Sequence, residues 1–140
     1  IGLTPQSVYK MGGYRVQGRT AEQAQRLIED AKLLEEAGAF AIVLELVPRE
    51  VAAMITEALT ISTIGIGAGA ECDIQVLVLH DLIGMTFGRQ PRFVRQYANL
   101  RQVMTDAIHA WSADVKSGAY PNDQESYGLT PDTVKEMAAK

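Results

Sequence analysis

The sequence predicts an α/β fold built on a parallel sheet, and three observations carry that reading. Segments with helical periodicity alternate with short apolar runs, the pattern of strands joined by crossover helices. The run "AFAIVLELV" (39–47) is apolar almost throughout, as a strand covered by helices requires. Proline and glycine punctuate the joints between segments. Only three full strands are visible, too few to close a barrel and barely enough for an open sheet.

Thr4-Pro5 places an N-cap and a first-turn proline before "PQSVYKM", and Met11-Gly12-Gly13-Tyr14 breaks that short element. Thr20 opens a helix with Gln23 three residues on, a capping box. Its apolar stripe is Ala24, Leu27, Ile28, Ala31, Leu34 and Ala37, and Gly38 ends it. The first strand comes next, with residues 40–47 expected to pair. Pro48 then starts "PREVAAMITEAL" as its first helical residue. "ISTIGIGAG" (61–69) is a second strand, pairing over 61–67, that dissolves into glycine. "QVLVLHDLIG" (75–84) is a third, pairing over 76–80. The link from Ala68 to Gln75 is shorter than the ~10–12 residues of a crossover with its helix, so at most one turn fits there. After Gly88 a long helix is expected to about Lys116, with Phe93, Tyr97, Leu100, Met104, Ile108, Trp111 and Val115 on one stripe. "GLTP" occurs at 2–5 and again at 128–131, the same Thr-Pro helix start used twice, the second opening "PDTVKEMAAK".

Bulk properties narrow the function classes. The 140 residues make about one domain, 47% hydrophobic and 21% charged. A net charge of −4 and a pI near 5.1 lack the basic footprint of a nucleic-acid binder. Arg89, Arg92, Arg95 and Arg101 cluster, but at helical spacing they read as a solvated face. One cysteine, Cys72, forms no intrachain disulfide and suits a reducing cytoplasm. No apolar run reaches the ~18 residues of a membrane span, and the N-terminus is not signal-like. The opening "IGLTPQ" without an initiator Met suggests a piece of a longer protein.

Against this background one residue stands out. Glu45 sits inside the first strand, where a charge costs several kcal/mol unless compensated. Strand alternation groups Ala41, Val43 and Glu45 on one face and Phe40, Ile42, Leu44 and Leu46 on the other. The larger set is expected to meet the helices, and the smaller to point into a barrel lumen. In the second strand Thr63, Gly65 and Gly67 form a small face that is expected to lie beside Glu45, leaving a hole next to the carboxylate. Active sites of parallel α/β proteins lie at the carboxyl ends of strands. The competing structural roles for Glu45 are an ion pair with Arg or Lys, or a cap on the following helix. "GIGAG" lacks the G-x-G-x-x-G spacing and a full following helix, so it is a weak nucleotide signal, and tight packing also explains it.

The remaining candidates carry less. His80 and Asp81 suit structural roles, the histidine on a backbone carbonyl and the aspartate capping a turn. His109 falls mid-helix, and two distant histidines with one cysteine do not make a zinc site. Ser7 and Ser62 have no histidine in view. Glu71 and Asp73 read as solvated link residues.

The segments "IGLTPQSV", "GGYRVQGR", "AGAFAIVLELVP", "TIGIGAGAECDIQVLVLHDLIG", "RFVRQYANL" and "VKSGAYPNDQESY" together resemble the ketopantoate hydroxymethyltransferase family, over about residues 1–127. The resemblance implies a (β/α)8 TIM barrel of the phosphoenolpyruvate/pyruvate type, of which this chain supplies the C-terminal half. Residues 128–140 would then be a helical extension. It further implies one-carbon transfer from methylenetetrahydrofolate to α-ketoisovalerate, giving ketopantoate in pantothenate biosynthesis, in a cytoplasmic, Mg²⁺-dependent homo-oligomer, typically a decamer. The family's general base, the Glu of its "VLE-x-VP" segment, falls on Glu45. The family's metal-binding aspartates and substrate-binding Ser and Lys belong to an N-terminal half that this chain lacks. Hence no metal ligand is assigned to these residues, and a front half of the barrel is an expected partner. "CDIQ" has Ile74 where the family usually has Gly, and "ESY" (125–127) replaces the usual "HSF". By itself, the chain is expected to bind Mg²⁺ and keto acid poorly and to expose apolar strand edges. Two other readings compete: a non-catalytic half-barrel that partners an intact subunit, and, from pattern alone, a small flavodoxin-like domain. The latter would need an N-terminal strand and phosphate loop that the sequence lacks.

Overall fold

The computed structural model describes residues 1–139, and the chain divides into two compact units at Ala98/Asn99. The first unit holds a 3-10 turn at Pro5–Ser7, then α1 (Ala21–Glu36), β1 (Ala41–Glu45), α2 (Arg49–Ala58), β2 (Ser62–Ile66), β3 (Ile74–Gln75) and α3 (Leu79–Leu82). The second holds α4 (Leu100–Ser117), a 3-10 turn at Asp123–Glu125, and α5 (Pro131–Ala138). The last residue of the expected "PDTVKEMAAK" helix lies outside the described residues.

The strands form one parallel sheet in chain order β1-β2-β3, with Ala41 level with Ser62 and Ile64 level with Ile74. The N-terminal residues extend it along the free edge of β1. Gly2 bridges Glu45 in parallel, Leu3 N–H donates to Glu45 O at 2.8 Å, and Glu45 N–H donates to Ile1 O at 3.1 Å. A sequential parallel order with right-handed connections places successive crossovers on one face. The core agrees: Ile42, Leu44 and Val47 pack with Ala31 of α1 and Val51, Ala52 and Ile55 of α2. Leu44 and Ile55 are fully buried, worth about 1.5–3 kcal/mol each. The opposite face carries Val43, 44% exposed, and Ile74, 48% exposed. Sequential order and one-sided helices argue against the flavodoxin-like alternative, whose strand order reverses.

Local chemistry explains the helix starts. Thr20 caps α1 by accepting from Gln23 N–H, while the Gln23 side chain accepts from Arg19 N–H, one residue before the cap. Pro48 is the N-cap of α2 rather than its first residue. The two Thr-Pro pairs behave differently. Thr130 caps α5 through Thr133 N–H, whereas Thr4 makes no side-chain cap and starts only the 3-10 turn.

Four expectations are corrected. The third strand is Ile74–Gln75, not 76–80, and Leu79–Leu82 is helical. The ladder ends once Val76 N–H donates to Gly65 O, because β2 stops at Ile66 and leaves nothing further to pair. No helix starts at Gly88: turns tie residues 91–97 to the first unit, with Val94 N–H on Pro91 O and Tyr97 N–H on Leu82 O. α4 begins only where the Asn99 side chain accepts from Gln102 N–H. Phe93 and Tyr97 are thus not on the stripe of Met104, Ile108, Trp111 and Val115, and that stripe itself is exposed. Phe40 precedes β1 and is 90% exposed, so it does not meet the helices. The α1 stripe holds from Ala24 to Ala31, while Leu34 and Ala37 are exposed.

Candidate functional site at the carboxyl end of the first strand

Glu45 is the last residue of β1, at the carboxyl end of the sheet. Residues level with each other in a parallel pair project to the same side. Ile42 and Leu44 pair with Thr63 and Gly65, and all four are buried on the helix side. Val43 and Glu45 pair with Ile64 and Ile66, all partly or largely exposed on the other side. The expected division of β1 into a helix-facing set and an open set therefore holds for residues 41–45.

The expected glycine-lined hole beside Glu45 does not. The register sets Ile66, not glycine, next to Glu45, and Gly65 lies on the opposite face. There it makes room for Cys72: a Cβ on Gly65 would stand 2.9 Å from the Cys72 sulfur. The bareness of Gly65 serves packing under the β2–β3 link.

The backbone just beyond Glu45 holds a feature with no signal in the sequence. Leu46 has φ of 50°, left-handed backbone that a branched side chain adopts only when its surroundings impose it. Two backbone hydrogen bonds do so: Leu46 N–H donates to Ile66 O at 3.0 Å, and Leu46 O accepts from Gln17 N–H at 2.8 Å. The reversal breaks strand alternation, returns Val47 to the core, and holds the Glu45 backbone between Leu3 and Ile66. Leu46 therefore does not continue the helix-facing set.

The electrostatics single out the same residue. Partial burial raises the Glu45 carboxyl above its ordinary pKa. Its carboxylate accepts no hydrogen bond from the described residues. Neither competing role is realised among them: the one ion pair joins Arg49 to Glu50, and α2 has no side-chain cap.

The other candidates have structural partners or none. Asp73, expected to be solvated, clamps the link to β2: its Oδ2 accepts from Thr63 N–H at 2.7 Å and from the Thr63 hydroxyl at 3.1 Å. Those bonds, the backbone one foremost, hold its carboxyl below the usual range. The buried Thr63 hydroxyl also meets the Thr56 hydroxyl at 2.8 Å. Asp81 accepts from the Thr86 hydroxyl, which fits its expected role in a turn. The side chains of His80, His109 and Glu71 are exposed. Among the described residues, no three His, Cys, Asp or Glu side chains converge to hold a metal ion. Arg89, Arg92 and Arg95 lie outside any helix, so they form no helical face.

Beyond the ends of β2 and β3 is a cleft of about 470 Å³, lined by Gly67, Gln75, Val76, Phe93, Arg95 and Tyr97 among others. Gly67, at φ 65°, lets the Phe93 ring lie against its backbone, where a Cβ would stand 2.7 Å from the ring. Two further clefts flank residues 11–23, and Glu45 lines none of the three.

No helix among the described residues is long and apolar enough to cross a membrane. The model of the family Ketopantoate hydroxymethyltransferase matches residues 1–123. A 3-methyl-2-oxobutanoate hydroxymethyltransferase 2 from Bradyrhizobium diazoefficiens is 55% identical over 139 residues, 99% of this chain and 47% of that protein. A 3-methyl-2-oxobutanoate hydroxymethyltransferase from Streptomyces coelicolor is 60% identical over 126 residues, 90% of this chain and 43% of that protein. One from Clostridium botulinum is 51% identical over 137 residues, 98% of this chain and 50% of that protein. The chain thus spans about half the length of the curated relatives it matches. With a parallel α/β sheet, a strand-end carboxylate and a family match over most of its length, the chain belongs to the ketopantoate hydroxymethyltransferase family.

Proposed function

We propose that this chain is the C-terminal half of a (β/α)8 barrel that transfers a hydroxymethyl group from methylenetetrahydrofolate to α-ketoisovalerate, and that Glu45 is its general base. The observation that carries the reading is the state of Glu45: a strand-end carboxylate on the face without helices, its pKa raised by burial, and neither ion-paired with Lys or Arg nor hydrogen-bonded by the described residues. Such a group holds a proton more readily than a solvated carboxylate and is free to take one from carbon. In the reaction, Glu45 takes the C3 proton of the keto acid. The carbon so freed bonds to the one-carbon unit of the folate, water supplies the hydroxyl, and tetrahydrofolate leaves.

The described residues do not fit a Mg²⁺ site, since no cluster of three ligands exists among them and Glu45 has Ile66 as its neighbour in register. A hard cation wants several oxygen ligands anchored by carboxylates. The metal's ligands are therefore assigned to the front half of the barrel, together with the rest of the substrate contacts. The same front half would cover Val43, Ile64, Ile66 and Ile74. A cytoplasmic homo-oligomer of decamer type is part of the same reading.

The test is Glu45→Gln in the intact enzyme, read by exchange of the C3 proton of α-ketoisovalerate into deuterated solvent. The expected result is a loss of ~10²–10⁴-fold, the usual contribution of a general base. Exchange within a few-fold of wild type, in a variant shown to be folded, would return Glu45 to a structural role. It would also favour the reading of this chain as a non-catalytic half-barrel.

A further inference from the structure

We infer that the cleft beyond β2 and β3 receives the folate co-substrate, with Phe93 and Tyr97 against its aromatic portion and Arg95 on its glutamate carboxylate. The inference rests on the proposed function, in which a folate is the one-carbon donor. Location is the first support. Gly67, on the cleft wall, comes directly after Ile66, which is level with Glu45 on the adjacent strand. The wall thus begins about one strand spacing (~4.8 Å) sideways and one residue (~3.3 Å) beyond the base. A donor held there can present its one-carbon unit to a carbon that Glu45 deprotonates.

Composition is the second support. A folate is a long, flat, aromatic molecule with carboxylates at one end. The cleft joins two aromatic rings to one guanidinium, and that guanidinium is exposed and pairs with no carboxylate among the described residues. Tyr97 is exposed along much of its ring, and its backbone N–H is fixed by Leu82 O, so the ring sits on an anchored segment. The larger cleft at residues 11–23 offers Arg15 and Arg19 but a single aromatic ring, Tyr14. It can grip an anion, but it has no second ring against which to enclose a heterocycle.

The experiment uses the intact enzyme and two donors, methylenetetrahydrofolate and a methylenetetrahydropterin that keeps the N10 aniline ring, which closes the methylene bridge, but lacks the carboxyl-linked glutamate. Arg95→Ala is expected to raise KM for the folate about tenfold, the scale of one charge-assisted hydrogen bond. It should leave KM for the pterin within about twofold, so that discrimination between the donors collapses. Arg95→Lys should recover part of it, and Tyr97→Ala should raise KM for both donors. Deuterium exchange of the keto acid requires no folate, and its persistence in Arg95→Ala separates this inference from the assignment of Glu45. Equal weakening of both donors by Arg95→Ala would overturn the inference, as would unchanged discrimination. So would the same collapse in Arg15→Ala instead, which would place the carboxylate in the cleft at residues 11–23.

Discussion

The two faces of the sheet are built on opposite plans. On the helix side the positions are small or apolar, and every polar group has a partner: Thr63 is buried among the Thr56 hydroxyl and Asp73, and Gly65 yields its space to Cys72. On the other side Val43, Ile64, Ile66 and Ile74 share a surface with Glu45, whose carboxylate accepts no hydrogen bond from the described residues. The first face is finished within this chain. The second gathers partly exposed apolar bulk around a carboxylate. The difference teaches where to look for chemistry in a parallel sheet: on the side that the chain's own helices leave alone.

The comparison can be broken in descending order of effect. The largest is Glu45→Gln on the open face, with its ~10²–10⁴-fold loss of exchange and little loss of stability, because amide and carboxylate have similar shapes. The next acts on the covered face. Gly65→Ala pushes a methyl group to 2.9 Å from the Cys72 sulfur and should destabilise the protein by about 1–3 kcal/mol in urea titration. Combined with Cys72→Ala it should cost less than the sum of the two single changes, since the clash is shared. Thr63→Val keeps the shape of the side chain but removes a buried hydroxyl, and with it the bond to the Thr56 hydroxyl and two bonds to Asp73, one accepted by its carboxylate and one donated by its N–H. The expected loss is about 1–2 kcal/mol, measured the same way.

The smallest effect is a difference in sign with pH. Asp73 has a folded pKa below its unfolded one, so its contribution to stability is present above the unfolded value and lost as pH falls through the folded value. Glu45 is raised, so its contribution is full below the unfolded value and lost as pH rises through the folded one. Relative to wild type, Asp73→Asn should therefore be destabilised at neutral pH and converge on it in acid. Glu45→Gln should gain relative stability as pH rises from about 4 toward neutrality, the range above an unperturbed glutamate. Denaturation midpoints of both variants across that range check the pair of slopes, and slopes of the same sign would erase the distinction between the faces.

Much of the fold is legible in the sequence, and the failures have identifiable causes. Helices and strands through Ile66 emerge from periodicity and caps, since Thr20, Pro48 and the apolar runs act locally. The assignment of Ile42 and Leu44 to the core and of Glu45 to the open side rests on alternation within one strand. Alternation does not set the phase between strands. Nothing in β1 or β2 alone says which residues stand level, and a shift of one exchanges the faces, so the glycine face of β2 is wrongly expected beside Glu45. The expected third strand is too long because "VLVLH" has the composition of a strand, yet it has no partner once β2 ends at Ile66. The false helix after Gly88 comes from apolar spacing that spans two differently used segments, 91–97 and α4. Leu46 gives no signal at all, because its left-handed backbone is imposed by Ile66 and Gln17 rather than chosen by a leucine.

The sequential order of the sheet has a consequence for how the chain acquires its structure. Both pairings between named strands join neighbours in sequence: Ile64 meets Ile74 after one short link, and Ala41 meets Ser62 after one helix. Loop closure is therefore less costly than in a parallel sheet whose adjacent strands lie far apart in sequence. During synthesis, residues 41–75 can condense around Leu44 and Ile55 without waiting for distant segments. The open face gains nothing at that stage. It stays wet, and the nascent intermediate passes through a period in which a surface of valine and isoleucine is exposed.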